Sequence, residues 1–362
     1  MGDKVAKRIA IGLILALVLA GGLAWVFGQR AIGERLFAEA IRERAGIDPS
    51  AALPDGLHAY VCGTGSPLPD ENRAGPCIAV LAGRTGLVFD AGSGSVRKLG
   101  AMGFPMDRLE GAFLTHLHSD HIDGLGELML QAWMAGGRGA PLPIHGPPGT
   151  GEVVDGFAAA YRIDRGLRIA HHGTDTARPG GFGGAPREFT PEEIAGGIVY
   201  DADGVTVTAF RVPHDPVEHA YAYRVNYKGR SVVISGDLRY HPPLAEFARG
   251  TDVLFHEALN PDLVGQIGKA AEKVGNAGAA KIMADIPSYH ATPEEAAKVA
   301  EAAGVRALVY YHMIPAPPLR LLNAAFLGDA PKHYGGDIRI AKDGLLVSLP
   351  AEAEAVTYED LF

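Results

Sequence analysis

A short cluster of metal-ligand side chains constrains this chain of 362 residues more than any other feature. It lies in the segment 115–121, THLHSDH, and consists of three histidines and one aspartate: His116, His118, Asp120 and His121. An apolar run precedes the segment and a helical pattern beginning at Leu125 follows it, so the cluster lies at a predicted strand end. Histidines two residues apart on an extended chain project to one side. Because imidazole nitrogens and carboxylate oxygens bind divalent cations, the pattern predicts two adjacent metal ions.

The composition is that of a folded globular protein, with 47% hydrophobic and 21% charged residues. The 48 glycines and 25 prolines follow no Gly-x-y period, which excludes a collagen-like chain and favours a fold rich in loops. The formal net charge is −9, and because the first 30 residues carry +3, the remainder carries −12. A domain of that charge repels polyanions, so we do not expect nucleic acid as a partner.

Short apolar runs bounded by Gly, Pro or Asp predict strands along most of the chain. They fall at 57–62, 78–82, 86–89, 111–114, 205–212, 220–225, 231–234, 253–255, 307–310 and 345–349. Helical patterns lie among them, at 125–133 and 293–303. Strands interleaved with helices indicate an α/β fold. We predict one catalytic domain at 57–362, preceded by an amphipathic helix and a linker at 31–56.

The first 30 residues have the composition of a membrane segment. Lys4, Lys7 and Arg8 precede an uncharged apolar run at 9–27, whose 19 residues would just cross a hydrocarbon core of about 30 Å. The run is long for a signal peptide, and no convincing small-x-small cleavage site follows it. We therefore predict a transmembrane anchor at 1–30, with the catalytic domain outside the cytoplasm, periplasmic or extracellular. The alternative is secretion after cleavage of a signal peptide.

The only two cysteines of the sequence, Cys62 and Cys77, flank a turn-rich stretch between two predicted strands. Neighbouring strands could place the two sulfurs within bonding distance, and an exported domain would permit their oxidation. Two reduced, buried side chains are an equal alternative.

The segment HLHSDH resembles the H-x-H-x-D-H signature of the metallo-β-lactamase superfamily. Four further motifs follow the order found in the branch that contains ribonuclease Z and arylsulfatase-like enzymes: Asp90-Ala91-Gly92, Pro213-His214, Ser235-Gly236-Asp237 and Tyr311-His312. The resemblance extends from about Leu57 to Ser348. It implies a four-layered αβ/βα sandwich with a metal site at the edge of its two sheets.

This resemblance implies seven ligands for two zinc ions, with manganese and iron as further possibilities. His116, His118 and His214 would hold one ion, Asp120, His121 and His312 would hold the other, and Asp237 would bridge them. Asp90 would orient one of the ligand histidines from behind.

Glu257 and His290 match a pair found in ribonuclease Z-like proteins. There the carboxylate orients the imidazole towards the scissile ester, so His290 would stabilise charge or protonate the departing oxygen. Asp120 could help to receive the proton of the attacking water. The alternative is that Thr292 caps the following helix and that His290 has no catalytic role.

These features predict hydrolysis of a small phosphodiester or sulfate ester by a hydroxide that bridges the two metals. Ribonuclease Z has a long basic arm that grips tRNA. The corresponding stretch here, 147–200, has no lysine and only scattered arginines, and is more similar to arylsulfatase-like members. In this stretch, His171 and His172 either line the substrate pocket or are solvated.

Three other functions remain open at this point. A β-lactam or lactone hydrolase would use the same metals and be indifferent to the loss of His290. A ribonuclease Z-type endoribonuclease would need a cytosolic location and salt-sensitive RNA binding. A membrane-tethered zinc-binding scaffold would hold metal without turnover. The expected partners are a small-molecule ester and, through the N-terminal helix, a membrane; a homodimer is left open.

Overall fold

The structure, a computed structural model, describes residues 2–189 and 197–362. These residues form two units, 1–51 and 52–362. The helices are α1 (Gly2–Arg44), α2 (Ser95–Ala101), α3 (Ser119–Ile122), α4 (Leu125–Met134), α5 (Thr150–Ala160), α6 (Arg162–Thr176), α7 (Leu244–Phe247), α8 (Pro261–Lys273), α9 (Ala277–Asp285), α10 (Pro293–Ala303) and α11 (Asn323–Leu327). The strands are β1 (Gly56–Gly63), β2 (Cys77–Ala82), β3 (Thr85–Phe89), β4 (Leu109–Phe113), β5 (Leu142–Gly146), β6 (Gly184–Glu188), β7 (Ile198–Ala202), β8 (Val205–His214), β9 (Val217–Tyr227), β10 (Arg230–Ile234), β11 (Val253–Leu259), β12 (Ala307–Ile314), β13 (Asp337–Ile340), β14 (Leu345–Pro350) and β15 (Thr357–Asp360).

The first unit consists mainly of the long helix α1. The sequence predicts a membrane segment that ends at residue 30 and a separate amphipathic helix after it. In the structure, the helix continues through residue 30 without a break. No proline interrupts the sequence there, and Arg30 donates a hydrogen bond to Glu34 one turn later, at 2.8 Å. By length and composition its apolar part could cross a membrane, a criterion that a signal sequence also meets. The membrane anchor therefore stays a prediction.

The second unit contains two sheets. In the part of the chain that the structure describes, one sheet has eight strands in the order β15-β14-β1-β2-β3-β4-β5-β6, and the other has seven in the order β13-β12-β11-β10-β9-β8-β7. Strand β1 pairs antiparallel with both β2 and β14. Strands β10, β11, β12 and β13 run parallel to one another, so several strands end at the same edge.

Alternation of side chains along the strands divides the core into layers. On β1, Leu57, Ala59 and Val61 lie in a buried cluster that also contains residues of β8 to β12, between the two sheets. Tyr60 and Cys62 point to the opposite face, into a second cluster formed with α2 and α4. A third cluster joins α7, α10 and α11 to the outer face of the other sheet. The two sheets are thus covered by helices on their outer faces.

Close backbone packing fixes the segment that follows β4. The amide of Tyr221 on β9 donates to the carbonyl of Thr115 at 2.9 Å, which links the two sheets at this edge. A Cβ atom on Gly92 would lie 2.3 Å from the carbonyl oxygen of Asp120, and one on Gly75 would lie 2.8 Å from the same atom. Only glycine allows these three chain segments to approach so closely.

Cys62 and Cys77 form a disulfide that joins β1 to β2, with their Cα atoms 5.0 Å apart. Of the two alternatives that the sequence left open, the structure has the bonded one. Both residues are buried, and the bond closes the loop 63–76 at its base.

The disulfide is expected to stabilise the fold. Closing a loop of 15 residues restricts the unfolded chain, which corresponds to about 3 kcal/mol. We expect the double variant Cys62→Ala, Cys77→Ala to lose about this much free energy of unfolding in a denaturant titration under oxidising conditions. A reductant should lower the stability of the wild type and leave the double variant unchanged. Equal stability of the two proteins without reductant would contradict the prediction.

Candidate metal centre

Four of the predicted ligands meet at the edge shared by the two sheets: His116, His118, His214 and Asp237. One nitrogen or oxygen of each lies within 4.8 Å of the others. The closest pair is His116 Nε2 and His118 Nδ1, at 2.9 Å, and His214 Nε2 lies 3.3 Å from the same His118 atom. His118 is exposed whereas the other three are buried, so this group opens to solvent on one side.

The remaining three predicted ligands form a second group, Asp120, His121 and His312. Asp120 Oδ2 lies 3.6 Å from His121 Nε2 and 3.3 Å from His312 Nε2. Asp237 Oδ2 lies 3.4 Å and 3.3 Å from the same two nitrogens. It also lies 3.9 Å from Nε2 of both His116 and His214 in the first group. Asp237 is therefore placed between the two groups.

Asp90 lies behind the second group. Its Oδ2 accepts hydrogen bonds from His121 Nδ1 and from the Thr115 hydroxyl, both at 2.8 Å. Its Oδ1 accepts from the Thr115 amide, also at 2.8 Å. These contacts fix the His121 ring with Nε2 directed at the ligand cluster, which is the arrangement that a metal-binding histidine requires.

Two other groups that orient the ligands were not predicted. The carbonyl oxygen of Tyr289 lies 2.9 Å from His214 Nδ1, which leaves Nε2 free to face the cluster. The Thr115 hydroxyl contacts both Asp90 and His116 Nδ1, the latter at 3.1 Å. A backbone carbonyl leaves no residue-specific pattern in a sequence. Thr115 could have been found, because it directly precedes the first histidine.

Two residues of the site have unusual backbone geometry. Asp90 has φ of 57° and His312 has φ of 39°, in the left-handed region that side chains rarely occupy. Such strain persists where surrounding contacts hold the residue in place, and it is concentrated at functional sites. The contacts of Asp90 with Thr115 and His121 supply that restraint.

The two groups of histidines differ electrostatically. Burial lowers the pKa values of His116 and His214, and partial desolvation of its ring by the neighbouring side chains lowers that of the more exposed His118, so these rings are held neutral with a free nitrogen lone pair. Burial alone would also lower the pKa values of His121 and His312. For these two rings the carboxylates outweigh burial, raising the pKa of His121 well above its ordinary value and that of His312 to about 10. The carboxylates around His121 and His312 therefore make the second group a favourable place for positive charge.

The pKa values of the two ligand carboxylates are shifted in the opposite direction, downwards. Burial alone would raise the pKa of Asp237, but His312 and His121 hold it well below its ordinary value. The same two rings lower the pKa of Asp120, again against burial. Both carboxylates are thus ionised, and they lie in a part of the protein where an uncompensated charge is costly.

The donor set fits metal cations. Among the described residues, Asp120 Oδ2, His121 Nε2 and His312 Nε2 are buried polar atoms without a hydrogen-bond partner, and all three face one another. A divalent cation would satisfy them together. The seven donors are nitrogen and oxygen atoms, which suits zinc in a catalytic site but does not separate it from manganese or iron.

Glu257 and His290 lie next to this cluster. Glu257 is fully buried on β11, and its Oε1 accepts a hydrogen bond from the Ala291 amide at 2.9 Å. Its Oε2 lies 3.3 Å from His290 Nδ1. The His290 ring lies 5.2 Å from the His214 ring and 5.9 Å from the His312 ring, measured between centroids. Thr292 also caps α10, through a reciprocal bond with Glu295, so capping and the pair coexist.

His171 and His172 were predicted either to line the substrate pocket or to be solvated. The structure places both on α6, where they are exposed, and neither belongs to the ligand groups found among the described residues.

Two sheets covered by helices, with histidines and aspartates gathered at their common edge, define a metal-dependent hydrolase. The chain belongs to the metallo-β-lactamase superfamily, because the sequence model described as the β-lactamase superfamily domain matches residues 85–313. The predicted family is thereby confirmed.

Ribonuclease Z proteins are among its relatives. The ribonuclease Z of Mycobacterium bovis BCG is 39% identical over 262 residues, which cover 72% of this chain and 87% of that protein. That of Mycobacterium marinum is 38% identical over 289 residues, which cover 79% and 96%. The crystal structure of the short form of human tRNase Z aligns with a TM-score of 0.53 at 22% identity, covering 81% of this chain and 99% of that one. This last likeness concerns the fold alone.

The contact between Asp90 and His121 gives a prediction about metal affinity. Asp90→Asn keeps the size of the side chain but removes the negative charge facing His121 Nδ1, so the ring loses its preferred orientation. We expect zinc affinity to fall by about 10- to 100-fold, measured by competition with a chelating indicator.

Asp252→Asn is the matched control, because Asp252 is also a buried carboxylate but pairs with Arg230 and Arg306 instead. That variant should lose stability and keep its zinc affinity. Unchanged affinity in Asp90→Asn would show that Asp90 does not orient a ligand.

Proposed function

We propose that this protein is a metal-dependent phosphodiesterase of the ribonuclease Z type that acts on RNA. The observation that carries the proposal is the position of the Glu257–His290 pair beside the two ligand groups. The identity to ribonuclease Z proteins supports RNA over a small ester as the substrate. From the sequence alone, hydrolysis of a small phosphodiester or sulfate ester is expected first, with a ribonuclease Z-type activity as an alternative; the relatives favour the alternative.

The structure of the pair suits proton transfer to a departing oxygen. Glu257 is held by the Ala291 amide through Oε1, which leaves Oε2 facing His290 Nδ1 at 3.3 Å. Neither of these last two atoms has a hydrogen-bond partner among the described residues. A buried carboxylate in this position can orient the His290 ring, with Nε2 left available to the substrate. His290 Nε2 can then donate the proton that the departing oxygen requires, since such contacts often tighten only when substrate binds.

The ligand residues complete the chemistry. Cations held by the seven ligands would activate water and polarise the phosphoryl oxygen. Asp120 has the more accessible of the two ligand carboxylates, with 13% of its side chain exposed against 3% for Asp237. Asp120 is therefore the ligand carboxylate better placed to take a proton from water and pass it to solvent, although its Oδ2 is buried against His121 and His312. Asp237 stays ionised between the two groups.

The role of His290 predicts a dependence on the leaving group. A 4-nitrophenolate departs without a proton, whereas a ribose hydroxyl needs one. We expect His290→Ala to slow cleavage of a precursor tRNA by about 10²- to 10⁴-fold and to change hydrolysis of bis(4-nitrophenyl) phosphate much less. The measurement is kcat/KM on both substrates with zinc-loaded protein, and removal of zinc by a chelator should abolish both activities.

His333→Ala is the control, since His333 lies outside the cluster at the end of the turn Ala330–Lys332. It should leave both rates unchanged. Equal losses on the two substrates in His290→Ala would argue against a proton donor. Absence of RNA cleavage together with rapid hydrolysis of the aryl phosphodiester would favour the small-ester activity instead.

A small phosphodiester stays the second candidate because of the surface of α5 and α6. This stretch lies where ribonuclease Z-like proteins would carry a basic arm. Among its described residues there is no lysine, Arg168 pairs with Asp164 at 2.7 Å, and Arg165 donates to the Pro179 carbonyl. An RNA-binding arm of basic residues would give an affinity for RNA that falls steeply as the salt concentration rises.

The membrane association is a further proposal. Helix α1 supports it by length and composition, and the Cys62–Cys77 disulfide supports an exported catalytic domain, since disulfides are rare in the cytosol. A ribonuclease Z-type activity on precursor tRNA needs a cytosolic domain, so an exported domain would favour the small-phosphodiester activity instead. A homodimer stays a prediction.

Single cysteines can test the orientation, because both natural cysteines are in the disulfide. We expect a membrane-impermeant maleimide to label Val274→Cys on intact cells, since Val274 is exposed, and to label Gly2→Cys only after permeabilisation. The opposite labelling would place the catalytic domain in the cytosol. If the mature protein lacks the N-terminal segment that carries the Gly2→Cys substitution, that segment has been cleaved, which would indicate secretion.

A further inference from the structure

The half-buried side chain of Tyr289 has no role in the function proposed above, although its backbone carbonyl does. The centroid of its ring lies 5.3 Å from that of His214, a metal ligand, and 5.0 Å from that of His290. The planes of these two rings are inclined to the Tyr289 ring by 82° and 47°, so neither histidine stacks parallel on it. The Tyr289 ring therefore lies beside one metal ligand and beside the proposed proton donor.

The side of the ligand cluster that opens to solvent is close to this ring. His118 is the exposed ligand of the first group, and its ring lies 5.1 Å from the His214 ring. His214 is thus bordered by the exposed ligand and also by Tyr289. The Tyr289 ring packs against a buried apolar cluster that includes Met283 and Ile286. Because the ring is only half-buried despite this packing, the rest of its surface is accessible from solvent.

The backbone around Tyr289 is held by hydrogen bonds. Its amide donates to the Ile286 carbonyl at 3.3 Å, and its own carbonyl oxygen lies 2.9 Å from His214 Nδ1. Two residues later, the amide of Ala291 donates to Glu257 Oε1 at 2.9 Å. A ring on a backbone fixed in this way loses little conformational freedom when a ligand stacks on it.

A nucleobase is the group that this ring fits. Every base has a face that can stack on an aromatic side chain, whatever hydrogen bonds its edge can make. A tyrosine ring has no positive charge, so it does not suit a second phosphate. In the proposed function the departing oxygen lies next to His290, and the base of the nucleotide that carries this oxygen is then the base nearest to Tyr289.

We propose that the Tyr289 ring is a stacking platform for the base of the nucleotide joined to the scissile phosphate. The proposal rests on the phosphodiesterase function above and deepens it, because it assigns the recognition of nucleotide substrates to one side chain. Tyr289 binds the base without transferring a proton. Stacking responds to the presence of a base more than to its identity, and a purine offers a larger face than a pyrimidine.

Nucleotide binding to the zinc-loaded full-length protein tests the platform without turnover. The probes are the 3′- and 5′-monophosphates of adenosine and uridine, with ribose 5-phosphate as the probe that lacks a base. All of them have a ribose and a phosphomonoester, so the Kd of ribose 5-phosphate divided by that of a nucleotide reports the base. We expect this ratio to be about 5 to 150 for the adenosine isomer that binds more tightly, and smaller for uridine, as measured by calorimetry.

Tyr289→Leu should bring the ratio close to one, because leucine fills the space but has no aromatic face. Tyr289→Phe keeps the face and should keep the ratio. Tyr358→Leu is the matched control, since Tyr358 is also half-buried but lies on the edge strand β15, where its ring contacts Arg339; it should keep the ratio. Each ratio is taken within one protein, so a change in the zinc affinity of a variant affects both Kd values alike.

Two results would overturn the platform directly. One is a ratio close to one in the wild type for both adenosine isomers. The other is a ratio that Tyr289→Leu leaves unchanged. Loss of the ratio in Tyr289→Phe as well as in Tyr289→Leu would assign the effect to the hydroxyl group and would also overturn stacking.

The same proteins separate the platform from the proposed function. Binding that depends on the base and on Tyr289, without hydrolysis of RNA or of bis(4-nitrophenyl) phosphate, would support the platform and overturn the phosphodiesterase function. Hydrolysis of RNA with a ratio close to one would support the function and overturn the platform.

Discussion

The position of Asp237 is the constraint on which the site depends. Its Oδ2 lies between 3.3 and 3.9 Å from Nε2 of four histidines, which come from β12, from the end of β8 and from the segment after β4. A buried carboxylate is costly unless positive charge compensates it. The two sheets must therefore meet with their strand ends aligned, because only that alignment brings the rings around the carboxylate.

A second layer of contacts makes this alignment specific. Asp90 and Thr115 fix His121, the Tyr289 carbonyl fixes His214, and the Ala291 amide fixes Glu257. Except for Thr115, which lies in the same segment as His121, each of these groups comes from a different part of the chain than the side chain it orients. The segment 289–291 is notable because it contributes a carbonyl to a ligand histidine, an imidazole beside the cluster and an amide to Glu257. One short piece of backbone thus holds the proposed proton donor, its partner Glu257 and the ligand His214.

The sequence predicts the ligands better than their surroundings. His116, His118, Asp120 and His121 are close together in the chain, so their convergence follows from local geometry. His214, Asp237 and His312 could be chosen only through the order of family motifs, and the central position of Asp237 requires the tertiary fold. The strands β5, β6, β7, β13 and β15 were not predicted, because they lie at or next to sheet edges and carry polar residues or proline rather than apolar runs. The single helix α1 was divided because its composition changes near residue 30 while its hydrogen bonding does not.

The close approach of Gly75 and Gly92 to the Asp120 carbonyl has a consequence for inherited variation. These two positions hold no donor or acceptor side chain, yet a single methyl group at Gly92 would meet the Asp120 backbone at 2.3 Å and displace it. Gly92→Ala could therefore inactivate the protein although all seven metal-ligand residues are unchanged. Surveys of natural variants that inspect only histidines and aspartates would overlook such lesions.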